Sequence, residues 1–179
     1  RLSTSIWLRS LWSVATGPGE TALVWSDPKT GRLVLRGSLG LWTSLRVREV
    51  LSRSQGIRLV ELHSPGGVAI EGLALAKLLE AHAVDTLVLQ ACSSACVTAF
   101  AAGERRYLGP NGSLGLHSAG SSMREWRLDV DAEHAALLER RGVARWLIEA
   151  ERATANSDIL VPGTATLLGS GLVTDLWGR

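Results

Sequence analysis

The chain has 179 residues, 46% of them apolar and 20% charged, with a formal net charge of +2. That is enough for one domain with a real core, too apolar for disorder, and too nearly neutral for the basic face that a nucleic-acid partner requires. No run of about 18 apolar residues occurs, so the sequence as it stands does not span a membrane.

The chain starts at Arg1 rather than methionine, which reads as a fragment or a processed form. Residues 1–28 are set apart as an N-terminal segment, with Trp7 and Trp12 among leucine, isoleucine and arginine. Two readings stand side by side: a segment packed on its own domain, or a stub next to a membrane helix, where Trp and Arg favour the interface. Residues 29–179 read as one domain. "GRLVLRGSL" (31–39) alternates and is β-rich, hence a strand. "TSLRVREVLSRSQG" (43–56) has a Thr/Ser start, a spaced apolar face and a Gly stop, hence a helix. Residues 57–64 predict a strand, 68–83 a helix, and 85–91 a buried strand. "SACVTAFAAG" (94–103) is small and apolar all round, as a core helix would be. Residues 105–118 hold two short extended pieces around Pro-Asn-Gly. Helices follow at 131–142 and 143–155, then a short helix in 162–171 and a last strand at 172–177.

Alternating strands and helices predict an α/β fold of βαβ units with a mainly parallel sheet and a helical C-terminal third. Sites in such sheets form at the carboxyl ends of strands. Two junctions stand out there: strand 57–64 into Pro65-Gly66-Gly67, and strand 85–91 into Cys92-Ser93-Ser94. Each presents a helix N-terminus, where bare N–H groups and the helix dipole favour negative charge. Taken alone, PGG is a turn and a serine opening a helix is an N-cap.

Acyl transfer needs a nucleophile, a base, an orienting group and donors for an oxyanion. Ser94 is a candidate nucleophile, with Ser93 its competitor. Ala95 and Gly67 each offer an N–H. His117 ends the extended piece "SLGLH" as a candidate base, and His63 could line the site. His82 and His134 read as solvent-facing. Cys92 and Cys96 lack the further ligands of a zinc site. Their spacing would strain a disulfide if both sat on one helix, so buried free thiols are expected.

Taken together, "HSPGG" followed by "SSACVTAFAAGERRYLGPNGSLGLH" and the later "SGLV" resembles the proteolytic subunit of the Clp protease, within the Clp and crotonase superfamily. The likeness covers roughly residues 30–176. It implies a serine peptidase on a Clp-type fold, with Ser94 as nucleophile, His117 as base, and the N–H groups of Gly67 and Ala95 as oxyanion hole. The family's acid falls nearest Asp158, one residue out of register, with Asp129, Asp131 and Asp175 as competitors. No metal or cofactor is implied. The resemblance implies a peptide or protein substrate and a homo-oligomer, with exposed Trp126 and Trp146 suited to the interface. No Walker-type loop is present, so ATP-driven unfolding would come from a separate ATPase chain, or the chain would work with a membrane partner. The "CSSAC" flanks depart from the peptidase's Gly-x-Ala-Ser-Met type stretch. They look more like bacterial extracytoplasmic relatives, which leans the expected location to the membrane or periplasm. Lys29 and Lys77 lie away from strand ends, which disfavours a Ser–Lys mechanism. The alternatives are a crotonase-like enzyme of acyl-CoA thioesters and an inactive assembly module on the same fold.

Overall fold

The computed structural model describes residues 22–27, 29–119 and 129–178. Most of residues 1–28, including Trp7 and Trp12, lie outside them, as does Trp126. Six strands form the main sheet in the order β1, β2, β3, β4, β6, β8. These are β1 (Leu23–Asp27), β2 (Arg32–Arg36), β3 (Leu59–His63), β4 (Asp85–Val88), β6 (Arg106–Leu108) and β8 (Asp175–Leu176). β1 and β2 pair antiparallel, and every other neighbouring pair is parallel. The α/β reading with a mainly parallel sheet holds. The boundary drawn after residue 28 needs correction, because it cuts the β1–β2 hairpin: Leu23–Asp27 is an edge strand of this sheet.

The predicted strand 85–91 is in fact two. β4 stops at Val88, and the chain then leaves the main sheet to form β5 (Ala91–Ser93). β5 pairs in parallel with β7 (Ser113–Gly115) in a separate two-stranded sheet. Only Gln90 interrupts the apolar stretch at the break, and one polar residue does not separate two strands in the hydrophobic pattern.

Helices cover the sheet: α1 (Thr43–Arg53), α2 (Ala69–His82), α3 (Ala95–Ala101), α4 (Val130–Arg140), α5 (Arg145–Ala153) and α6 (Thr164–Gly169). All seven residues of α3 are buried, which is why they are almost wholly apolar and, Phe100 apart, small. Phe100 of this helix shares one core with Leu33, Leu35, Leu62 and Leu108, among others. Glu71 in α2 joins two helices. Its carboxylate accepts from the N–H groups of Trp42 and Ser44, at 2.9 and 2.8 Å, so it caps α1 from outside that helix.

Arg106 fixes the C-terminal end. The residue is 4% exposed, and its guanidinium donates to the carbonyls of Leu172, Gly103, Arg141 and Gly171 at 2.8–3.2 Å. Arg106→Met therefore leaves four carbonyls without this donor, and is expected to lower stability by about 3 kcal/mol in urea unfolding.

His63 also bears on stability. It pairs with Arg36 across β2 and β3, and its Nδ1 is buried without a partner among the described residues. Burial first, and the Arg36 charge second, hold its imidazole below the ordinary 6.5, with Glu61 opposing. The unfolded chain therefore takes up a proton that the folded one resists. Stability tied to neutral His63 is full above the unfolded value and is lost as pH falls through it. In urea unfolding from about pH 7.5 to 5, His63→Gln should lose less stability than the parent.

Candidate active site

β5 and β7 build the site by register. Ala91, Cys92 and Ser93 pair with Ser113, Leu114 and Gly115. Just beyond the paired ends, Ser94 starts α3 and His117 follows Leu116. Ser94 N–H donates to the Gly115 carbonyl at 2.8 Å, which locks the two exits together. On the far side, Leu116 and Leu160 exchange both main-chain hydrogen bonds, at 2.8 and 2.9 Å.

Ser94 has φ 55° and ψ −128°. A side chain rarely enters that region, and such a residue costs of order 1–3 kcal/mol that its surroundings must offset. The turn swings the chain from strand to helix within one residue and stands the serine at the start of α3, a geometry used to expose nucleophiles.

The paired glycines of "HSPGG" are explained here. Gly66 has φ 97° and lies directly on the Ser94 turn. A Cβ there would stand 2.7 Å from both the Ser93 carbonyl oxygen and Ser94 Cβ, and 3.2 Å from Ala95 N. Gly67 has φ 146°, and a Cβ there would strike the Leu39 backbone at 2.5 Å. Gly72, one turn into α2, lets that helix approach α3 where a Cβ would sit 2.5 Å from the Ala95 carbonyl oxygen. The two helix starts are thus adjacent. Among the described residues, neither Gly67 N–H nor Ala95 N–H has a hydrogen-bond acceptor.

Ser94, Ala95 and His117 line one small pocket of about 30 Å³, with Ala69, Thr98, Ala119, Val130, Asp131, His134 and Glu151. His117 Nδ1 lies 2.8 Å from the Ser118 carbonyl oxygen. A carbonyl can only accept, so Nδ1 carries the hydrogen and Nε2 of the neutral ring keeps its lone pair. That is the tautomer a general base needs.

The structure does not bring Asp158 to this imidazole. Asp158 is exposed, its N–H closing a turn onto the Ala155 carbonyl, and the partner of His117 Nδ1 is the Ser118 carbonyl instead. The antiparallel Leu116–Leu160 bridge brings Asp158 onto the neighbouring segment without directing its side chain inward. Asp129 caps α4 through Ala132 N–H, and Asp175 sits exposed in β8. Asp131 lines the pocket and accepts from Ala119 N–H at 2.7 Å.

Two expectations are overturned. Cys92 and Cys96 form a disulfide rather than free thiols. Cys92 lies in β5 and Cys96 in α3, so the Ser94 turn separates them and the objection that applies to one helix does not arise. His134 is not solvent-facing. Its Nδ1 is 3.0 Å from Thr98 Oγ1 and its Nε2 3.0 Å from Glu151 Oε2. Glu151 is 4% exposed and Thr98 6%. With Glu151 ionised and the ring neutral, Nε2–H donates to the carboxylate and Nδ1 accepts the threonine proton. This hydroxyl–imidazole–carboxylate chain ties α3, α4 and α5 together beside Ser94. Its signal in the sequence is the stripe Val130, His134, Leu137 and Leu138 at i, i+4, i+7 and i+8, an inward helical face that the flanking charges obscure. His82 is exposed, as expected, and His63 is not among the pocket residues.

Gly66→Ala is expected to cost about 2 kcal/mol or more in thermal unfolding, from its positive φ and the backbone it would strike. Gly56→Ala, at a site with positive φ and open space around it, should cost less.

The sequence matches no family model and no curated protein. Its fold is similar to that of ClpP1 from Listeria monocytogenes and of a point mutant of that protein. Each comparison has TM-score 0.69 at 16% identity and covers 85% of this chain and 94% of the other. The chain has a ClpP-like α/β fold.

Proposed function

We propose that this protein is a serine hydrolase of the peptidase type. The observation that carries the reading is the pairing in one pocket of a hydroxyl on a strained strand-to-helix turn with an imidazole whose Nδ1–H is tied to a carbonyl. Ser94 Oγ attacks the scissile carbonyl while His117 Nε2 takes its proton. The oxyanion forms against the N–H groups of Gly67 and Ala95, each contributing about 3 kcal/mol in enzymes that use such donors. His117 then returns the proton to the leaving amine, and water hydrolyses the acyl-enzyme by the same route in reverse. The orienting role usual for an acid falls to the Ser118 carbonyl, so the mechanism is a Ser–His pair with a main-chain support and Asp158 is not assigned to it.

A pocket of about 30 Å³ suits a scissile group laid along the surface better than an enclosed acyl-CoA thioester. That favours a peptide or protein substrate over the crotonase-like alternative. The fold likeness and half-exposed Trp146 support assembly with further copies of the chain. No helix among the described residues is long and apolar enough to cross a membrane, and the membrane-associated or periplasmic location stays a proposal that rests on the "CSSAC" flanks.

A fluorophosphonate probe tests the reading. The parent protein should carry one covalent tag, lost in Ser94→Ala and slowed by at least about a hundredfold in His117→Ala. Asp158→Asn should label within about twofold of the parent, since its side chain does not reach the imidazole. Labelling that survives Ser94→Ala would move the nucleophile. Absent labelling together with CoA binding would favour the thioester enzyme, and absence of both the assembly module.

A further inference from the structure

The Cys92–Cys96 disulfide encloses only Ser93, Ser94 and Ala95. Those residues include the proposed nucleophile and one proposed oxyanion donor. One sulfur is anchored in β5 and the other in the first turn of α3, with the two Cα atoms 5.4 Å apart. The bridge therefore spans the strand-to-helix turn at Ser94, where the backbone takes a positive φ.

The remaining restraints on that turn are non-covalent. Ser93 N–H donates to the Ser64 carbonyl at 3.0 Å, Ser94 N–H to Gly115 at 2.8 Å, and Val97 N–H to the Ser94 carbonyl at 2.8 Å. Relaxation of Ser94 to an extended or helical conformation would rotate its hydroxyl off the pocket and turn the Ala95 N–H with it. A covalent ring across three residues removes most of those alternatives.

We propose that the Cys92–Cys96 bridge is a positioning element of the active site, holding Ser94 Oγ and Ala95 N–H on one spot. The inference rests on the serine-hydrolase reading. Both cysteines are buried, at 0% and 1% exposed, so an attacking thiolate does not reach the bridge in the folded chain. The bond is therefore set during folding and is not a reversible switch of the native protein. It forms by thiol–disulfide exchange with a small or protein disulfide. The two cysteine thiols give up two protons and two electrons, and the oxidant leaves as two thiols. Full activity is thus reached where such an oxidant is present, which distinguishes this site from one built on hydrogen bonds alone.

The test compares three preparations: oxidised parent, parent unfolded and refolded under dithiothreitol, and Cys92→Ala/Cys96→Ala. Fluorophosphonate labelling rate is measured together with kcat and KM on p-nitrophenyl acetate, and folding is followed by circular dichroism and thermal melting. The expected result is a labelling rate and kcat lower by at least about tenfold in the bridge-free forms, with KM within about twofold and a cooperative melt retained. Reoxidation of the refolded parent with glutathione disulfide should restore the rate. Equal labelling with and without the bridge overturns this inference and leaves the hydrolase reading standing. No labelling of the oxidised parent sinks the hydrolase reading itself. If the alanine pair does not fold, Cys92→Val/Cys96→Ala, which refills the strand position, takes its place. Failure of both to fold overturns the inference, because the bridge then holds the fold rather than the site.

Discussion

The backbone of Ser94 is the constraint around which the site is organised. An L residue with φ 55° and ψ −128° is held there by its neighbours rather than by its own preference. Gly115 takes its N–H, Gly66 presses on its Cβ side without a side chain of its own, and the disulfide closes over it. If any of these restraints gave way, the hydroxyl and the Ala95 N–H would move together, since one peptide unit connects them. Precision at this point is what the small residues of the region supply.

That dependence explains the layout beyond the turn. The parallel pairing of β5 with β7 carries His117 to the same edge as Ser94, so the proposed base and nucleophile are set by one register rather than by two separate loops. Helix α3 sits deep where its N-terminus reaches that edge, and apart from Phe100 its buried side chains are short. Its lone polar residue, Thr98, is satisfied through His134 and Glu151. The polar chain joins three helices in the wall of the pocket, and the low dielectric around it makes each partner costly to remove.

Much of the fold was legible. The alternating strands and helices, the parallel sheet and the junctions after residues 64 and 91 follow from periodicity and from glycine placement. The resemblance motif singled out Ser94 and His117, and the structure places both in one pocket. What escaped has physical causes. β1 lies in a segment with no clear alternation. The break between β4 and β5 falls at exposed Gln90, a single polar residue in an otherwise apolar stretch, too little to mark the end of a strand. The disulfide escapes the spacing argument because that argument holds only for two cysteines on one helix, whereas a strand end and a helix start meet between Cys92 and Cys96. His134 was misjudged because charged neighbours on α4 outweighed its inward stripe. Asp158 follows from the family's register along the chain, and register does not show which way a side chain points.

The account turns on convergence of one hydroxyl, one imidazole nitrogen and two main-chain amides on a single carbonyl-sized position. A crystal structure of the fluorophosphonate adduct measures that directly. The account predicts phosphorus bonded to Ser94 Oγ, with one phosphoryl oxygen within hydrogen-bond reach, about 2.7–3.1 Å, of both Gly67 N and Ala95 N, and His117 Nε2 beside Oγ. A phosphoryl oxygen facing solvent away from both amides, or an adduct on another residue, would contradict it.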